Sequence, residues 1–213
     1  MINPLRRLFP HSEEHLLMGR FGAGQTSETE RADGDMLAIR SADDPGAELL
    51  ESFADANGFP AGWAREMLID GASGVIARDP AAGATLAMAW MTTHPFHVEE
   101  IGATIDPRGG VYLFGDFVAP AHRGRKLQRL LVAHRLRITG SAAFACTLVH
   151  PSNLASVRSY QHEGFEPGGR FVRYRWRDRT WTRCRSARCA AVAFTLEEND
   201  RIVASVGKWS DRR

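Results

Sequence analysis

Two long periodic stretches organise the hydrophobic pattern of this chain. From Val111 to Val118 apolar residues run almost without a break, as in a strand buried on both faces. After a turn at Pro120 and a basic, Gly-containing stretch, Leu127, Leu130, Leu131, His134 and Ile138 recur along one helical face. Residues 142–149 form a second apolar run of strand length. Pro151 then opens a helix that runs to about Glu163 and stops at Gly164.

Upstream, residues 36–40 alternate as a first strand. Asp43-Asp44-Pro45 signals a helix start, Leu49, Leu50, Phe53 and Ala54 follow at helical spacing, and Asn57-Gly58 stops the helix. A second short helix is predicted from Pro60 to Ile69. Residues 74–78 and 85–91 read as strands of a hairpin, joined by the turn cluster Asp79-Pro80-Ala81-Ala82-Gly83. Residues 92–110 read as irregular, and so long a loop inside a domain is more often functional than accidental. Residues 170–177 alternate again, and 189–196 is a further strand candidate. Residues 1–34 lack sustained periodicity and read as an extension or linker, with one short helix near Ser12 to Met18. The expected division is an N-terminal extension (1–34), one mixed α/β domain (35–196) and a C-terminal tail (197–213).

Composition narrows the picture only modestly. A chain of 213 residues can bury a sizeable core, and its formal charge of +2 gives no global case for a nucleic-acid binder or an acidic-substrate sink. Its positive charge is nearly all Arg, since Lys occurs only at Lys126 and Lys208. Cys146 lies in an apolar run and reads as a small buried hydrophobe. Cys184 and Cys189 have no neighbouring His or second Cys pair, so no metal is expected. The N-terminal Leu5-Arg6-Arg7-Leu8 is not followed by the apolar segment of a signal peptide. No segment reaches membrane-spanning length, and a cytoplasmic location is expected.

Candidate chemistry concentrates where the Val111–Val118 strand meets the next helix. Backbone amides at a helix start lack partners and the dipole there favours negative charge. The stretch Val118-Ala119-Pro120-Ala121-His122-Arg123-Gly124-Arg125-Lys126-Leu127-Gln128 is thus a plausible cradle for phosphate or pyrophosphate. The second informative stretch is His150-Pro151-Ser152-Asn153 through Tyr160 to Gly164-Phe165. Together the two resemble the GNAT superfamily of acyl-CoA-dependent N-acetyltransferases over residues 111–165. The family's first motif is a strand ending Val-x-Pro followed by Arg-x-x-Gly-x-Gly/Ala, matched by Val118, Pro120 and Arg123 to Gln128. Its second is an Asn, a Tyr seven residues on, then Gly-Phe, matched by Asn153, Tyr160, Gly164 and Phe165. One departure stands out: Lys126 and Gln128 occupy positions where the pattern has Gly and Gly/Ala. Small residues there let backbone amides approach a pyrophosphate closely. The amides survive the substitution, and the two side chains are expected on the outer face of the first turn.

The resemblance implies a mostly antiparallel, twisted sheet of about six to seven strands, splayed at the cofactor site and flanked by about four helices. It implies an acyltransferase that uses acetyl-CoA as cosubstrate and needs no metal, with a primary amine attacking the thioester directly. Amides of Arg123, Gly124, Arg125, Lys126, Leu127 and Gln128 would hold the pyrophosphate. Main-chain groups of Phe117 and Val118 would hold the pantetheine and thioester carbonyl, and Tyr160 would protonate the departing thiolate. Asn153 would bond the cofactor arm or cap its own turn. For the general base, Asp116 is the first candidate, because a carboxylate among Phe114, Phe117 and Val118 is costly to bury without a partner, which favours a functional placement. Glu99, Glu100, His94, His97 and a water chain are the alternatives.

Two rivals accompany this reading: a non-catalytic acyl-CoA-binding or partner-binding module on the same fold, and an RNA- or ribosome-associated factor. The second rests on Arg173, Arg175, Arg177 and Arg179, which alternate with Val172, Tyr174 and Trp176 as one strand with a basic face, extended by Arg183, Arg185 and Arg188. No nucleic-acid motif accompanies them, so nucleic acid is the minor option, and a solvated strand face balanced by acids elsewhere is the simpler account. The expected partner is a small-molecule or peptide amine, no membrane is expected, and a homodimer stays open. Trp63, Phe59, His94 and Glu99 are candidates to line an acceptor pocket or simply to pack.

Overall fold

The computed structural model describes residues 11–21, 35–140, 144–176, 179–185, 193–198 and 201–206. In chain order, strands His11–Phe21 (β1) and Asp35–Ile39 (β2) precede helices Ala47–Ala56 (α1) and Trp63–Ile69 (α2). Strands Ser73–Arg78 (β3), Thr85–Thr92 (β4), Phe96–Val98 (β5), Ala103–Asp106 (β6) and Val111–Val118 (β7) follow. Then come helix Leu127–Ile138 (α3), strand Phe144–Val149 (β8) and helix Leu154–His162 (α4). Strands Glu166–Trp176 (β9), Arg179–Arg185 (β10), Ala193–Glu198 (β11) and Arg201–Val206 (β12) complete the described chain. An eight-stranded sheet has the order β10-β9-β1-β8-β7-β4-β3-β2, and a four-stranded sheet the order β12-β11-β6-β5. Every pairing in the large sheet is antiparallel except β7 with β8. The class is the expected mixed α/β, with more strands than expected.

The continuous apolar strands are covered on both faces. On one face α1 and α2 pack Leu50, Phe53, Ala54 and Leu68 against Ile76, Met88 and Trp90 of β3 and β4. The small sheet continues that cover, with Val98, Ile101, Ala103 and Ile105 over Leu17, Tyr112, Phe144, Cys146 and Phe171. On the other face Leu127 and Leu131 of α3 pack on Val75, Ala87 and Ala89, while Val132 and Tyr160 pack on Met18, Leu113 and Val149. Cys146 is fully buried, and burial pushes its thiol well above the ordinary range. Cys189 lies outside the described residues. Among the described residues, no helix is long and apolar enough to cross a membrane.

Four expectations need correction. The segment read as a linker with a helix near Ser12 to Met18 is β1, which lies inside the large sheet between β8 and β9. Leu16 and Met18 pack toward one face and Leu17 toward the other, so a short apolar run buried on both sides carries no period to read. The loop 92–110 contains the hairpin β5–β6, and residues 201–206 of the supposed tail pair with β11. Strands of three or four residues hold too few positions for alternation to show. The Arg-rich stretch is a hairpin of β9 and β10 rather than one strand.

Candidate functional site

The turn into α3 is anchored by Leu127 and Leu131, whose burial fixes the helix against the sheet. Gly124 and Lys126 hold left-handed backbone, with φ of 80° and 61°. The Gly of the resembling motif at position 126 thus has a physical reason: the chain must bend left-handedly to enter α3, and an L-residue does so at a cost. Among the described residues, no backbone carbonyl accepts from the amides of Gly124, Arg125, Lys126, Leu127 or Gln128, whereas the Arg123 amide donates to Pro120 at 3.4 Å. The Arg123 side chain turns back, its Nε donating to the Val118 carbonyl at 3.3 Å. Arg125 Nη1 lies 3.4 Å from His122 Nδ1, and both Arg125 and Lys126 are exposed.

Beside this turn the sheet opens. Strands β7 and β8 pair only at Val111–Ala145, Tyr112–Cys146 and Leu113–Thr147, so the second half of β7 pairs with β4 alone. A bulge lies in that half, because Met88 faces Phe117 while Trp90 faces Phe114. Gly115 makes it, at φ 60°, where an added Cβ would come within 2.8 Å of the Trp90 ring. The extra residue reverses the alternation. Phe114 and Phe117 face α1 and α2, while Asp116 and Val118 turn toward α3 and α4.

Asp116 meets a buried polar network there. Arg135, fully buried on α3, places Nη2 2.5 Å from Asp116 Oδ1 as an ion pair and 3.3 Å from the Tyr160 hydroxyl. Its Nη1 donates to the carbonyls of Trp90 (2.7 Å) and Phe114 (3.4 Å), the backbone flanking the bulge. The Tyr160 hydroxyl donates to Asp116 Oδ2 at 2.7 Å. Gln128 Nε2 donates to the same Oδ2 at 3.2 Å and to Ser156 Oγ of α4 at 2.8 Å. Burial, and next the Asp116 carboxylate, push the Tyr160 phenol well above its ordinary range. Burial also opposes charge on Arg135, but Asp116 and Tyr160 outweigh it and hold the guanidinium more firmly protonated than usual.

The structure therefore brings Asp116, Tyr160 and Gln128 together, and it adds Arg135 and Ser156, which sequence reasoning missed. Arg135 could have been noticed, because it continues the Leu127, Leu131 spacing by one more turn and so lies on the apolar face. Gln128 departs from expectation: its side chain points inward, since the bulge leaves Asp116 facing the first turn of α3. The Asn153 side chain accepts from the Ser156 amide at 3.2 Å and caps α4. Phe59 stacks on Trp63 and meets Phe117 edge-on, so the pocket candidates Phe59 and Trp63 pack beneath the bulge. His94, His97, Glu99 and Glu100 are exposed. None of the four bonds to Asp116 or Tyr160 among the described residues; His97 approaches Thr104. In the Arg-rich hairpin, Arg173 donates to the Glu99 carbonyl and Arg170 pairs with Glu14 at 2.8 Å, so part of that charge is satisfied internally. Arg177 and Arg188 lie outside the described residues. No group of three or more His, Cys, Asp or Glu among the described residues could hold a metal ion.

An open, mostly antiparallel sheet that splays between its one parallel pair, followed by a turn of amides without acceptors into a helix, is the GNAT acetyltransferase fold. The chain resembles solved structures of that fold, though only distantly in sequence. A tandem GNAT protein from the clavulanic acid biosynthesis pathway matches with TM-score 0.55 and 16% identity, over 86% of this chain and 57% of that one. A GNAT-family acetyltransferase from Colwellia psychrerythraea matches with TM-score 0.54 and 16% identity, over 78% and 57%. A conserved protein of unknown function from Staphylococcus epidermidis matches with TM-score 0.55 and 14% identity, over 82% and 66%. This chain thus spans between 57% and 66% of the length of these three. No protein-family model matches the sequence, and a search of curated proteins finds no match.

Proposed function

We propose that this protein binds acetyl-coenzyme A and transfers its acyl group to a primary amine. The observation that carries the reading is the opening of β7 from β8 beyond Leu113, on the half of β7 that bears Asp116, the partner of Tyr160, and leads into the α3 turn, whose amides have no backbone acceptor among the described residues. The residues fit such a donor. Amides of Gly124 to Gln128 present an anion site for its pyrophosphate. The edge of β7 at Phe117 and Val118 that β8 leaves unpaired offers main-chain groups for its amide-bearing arm once the Arg123 side chain gives up the Val118 carbonyl. The thioester supplies the activated acyl group; the amine nitrogen bonds its carbonyl carbon, the carbon–sulfur bond breaks, and the sulfur leaves with a proton. In this reading Tyr160 Oη, bonded to Asp116 on the half of β7 that β8 leaves unpaired, gives that proton.

Asp116 takes a different part from the one first expected. Its Oδ2 accepts from Tyr160 and Gln128, and its Oδ1, which takes no hydrogen bond among the described residues, is held as an ion pair by the buried Arg135, so the carboxylate is committed to these partners rather than to the amine. It acts instead as a positioning residue that aims the Tyr160 hydroxyl, and the amine proton leaves to solvent. The second reading, donor binding without transfer, is favoured by one observation: Tyr160 is 2% exposed and already donates to Asp116.

The test pairs a melting experiment with a thiol-release screen against amino acids, polyamines, aminoglycosides and peptide N-termini. Acetyl-coenzyme A should raise Tm by mass action, worth about 2.7 kcal/mol at a hundredfold excess over Kd. No shift at millimolar ligand removes both readings, and a shift without thiol release on any amine selects the non-catalytic one.

A further inference from the structure

We infer that Gln128 sets the affinity for the donor, because its side chain bridges the path that the donor's arm must take. The inference rests on the acyl-coenzyme A reading. Ser156 and Tyr160 stand four residues apart on α4 and so share its buried face, with Ser156 one turn nearer the helix start. The bond from Gln128 Nε2 to Ser156 Oγ joins the first turn of α3 to the first turn of α4. A ligand with its phosphates on the α3 amides and its reacting end at Tyr160 must cross this bond.

The chemistry of the bridge matches what would replace it. Gln128 presents a carboxamide N–H to Asp116 Oδ2 and Ser156 Oγ. A pantetheine-type arm carries amide N–H groups of the same kind, so it exchanges one amide donor for another. The protein's own amide competes with the ligand's. Asp116 stays paired with Arg135 and Tyr160 when Gln128 withdraws, so the exchange leaves no buried charge alone. A small residue at this position opens the path without disturbing the α3 amides.

Calorimetric titration of the full chain tests this, using coenzyme A and, as a ligand without the arm, adenosine 3′,5′-bisphosphate. Gln128→Ala should bind coenzyme A about tenfold more tightly than the unaltered protein, the worth of one or two displaced hydrogen bonds. Ser156→Ala, which cuts the bridge from the other side, should give a smaller gain in the same direction and decides the matter if Gln128→Ala does not fold. Neither change should alter binding of the armless nucleotide. Unchanged or weaker coenzyme A binding in both variants overturns the inference while leaving the donor reading intact. An equal gain for both ligands also overturns it, since the effect would then belong to the phosphate turn. No binding of coenzyme A by any form removes the donor reading and this inference with it.

Discussion

Lys126 shows how one backbone angle can impose a residue preference. At φ 61° it holds a conformation that costs an L-residue about 1–2 kcal/mol, and its side chain is exposed and makes no compensating bond among the described residues. Gly would remove the steric cost and return part of it as chain entropy. Lys126→Gly should therefore stabilise the fold by about 0.5–1 kcal/mol, read as a higher urea midpoint with an unchanged slope. A lower midpoint would show that the lysine makes a contact worth more than the strain. The motif around this residue was legible in the sequence because it is a run of neighbours. The inward turn of Gln128 was not, since it depends on where Asp116 points, and that depends on a bulge in a different element.

At the scale of elements, α3, α4 and β7 were readable because long periodic or apolar segments declare themselves, while β5 and β6 are too short to do so and the apolar run Leu16-Leu17-Met18 of β1 is flanked by polar residues without alternation. The bulge in β7 was hidden for another reason. Strict alternation puts Asp116 on the face of Tyr112 and Phe114, and Gly115 moves it to the face of Leu113. Arg135 then ties the bulge to α3 by bonding the carbonyls of Trp90 and Phe114 along with Asp116. Removing one partner of a buried ion pair leaves a charge without compensation. Arg135→Met should cost about 3–5 kcal/mol in urea unfolding, and adding Asp116→Asn to it should recover part of that loss. If the double variant is no more stable than the single one, the guanidinium matters through the carbonyls alone.

For the molecule as a whole, the placement of β1 dominates. His15 lies on it with Nδ1 buried and lacking a hydrogen-bond partner among the described residues, 5.6 Å ring to ring from His150. Burial first, and then His150, lower its pKa below the ordinary value of 6.5. Burial, and then Arg137, lower that of His134 as well. A lowered native pKa means that the unfolded chain binds the proton more readily. The stabilisation is complete above pH 6.5 and fades as the pH falls through the native pKa. The urea midpoint should thus drop between pH 7.5 and 5.5, and His15→Gln should flatten the drop; a slope unchanged by that substitution would place the effect elsewhere. The central position of β1 also bears on how the molecule is made. Its neighbours in the sheet begin at Phe144 and Glu166, so the first described strand waits for the last third of the chain. On a ribosome adding about 5–20 residues per second, Leu16, Leu17 and Met18 stay unpaired for on the order of ten seconds. Closing the sheet is therefore a late event in synthesis, and a nascent chain halted before β8 exposes an apolar strand with nothing to join.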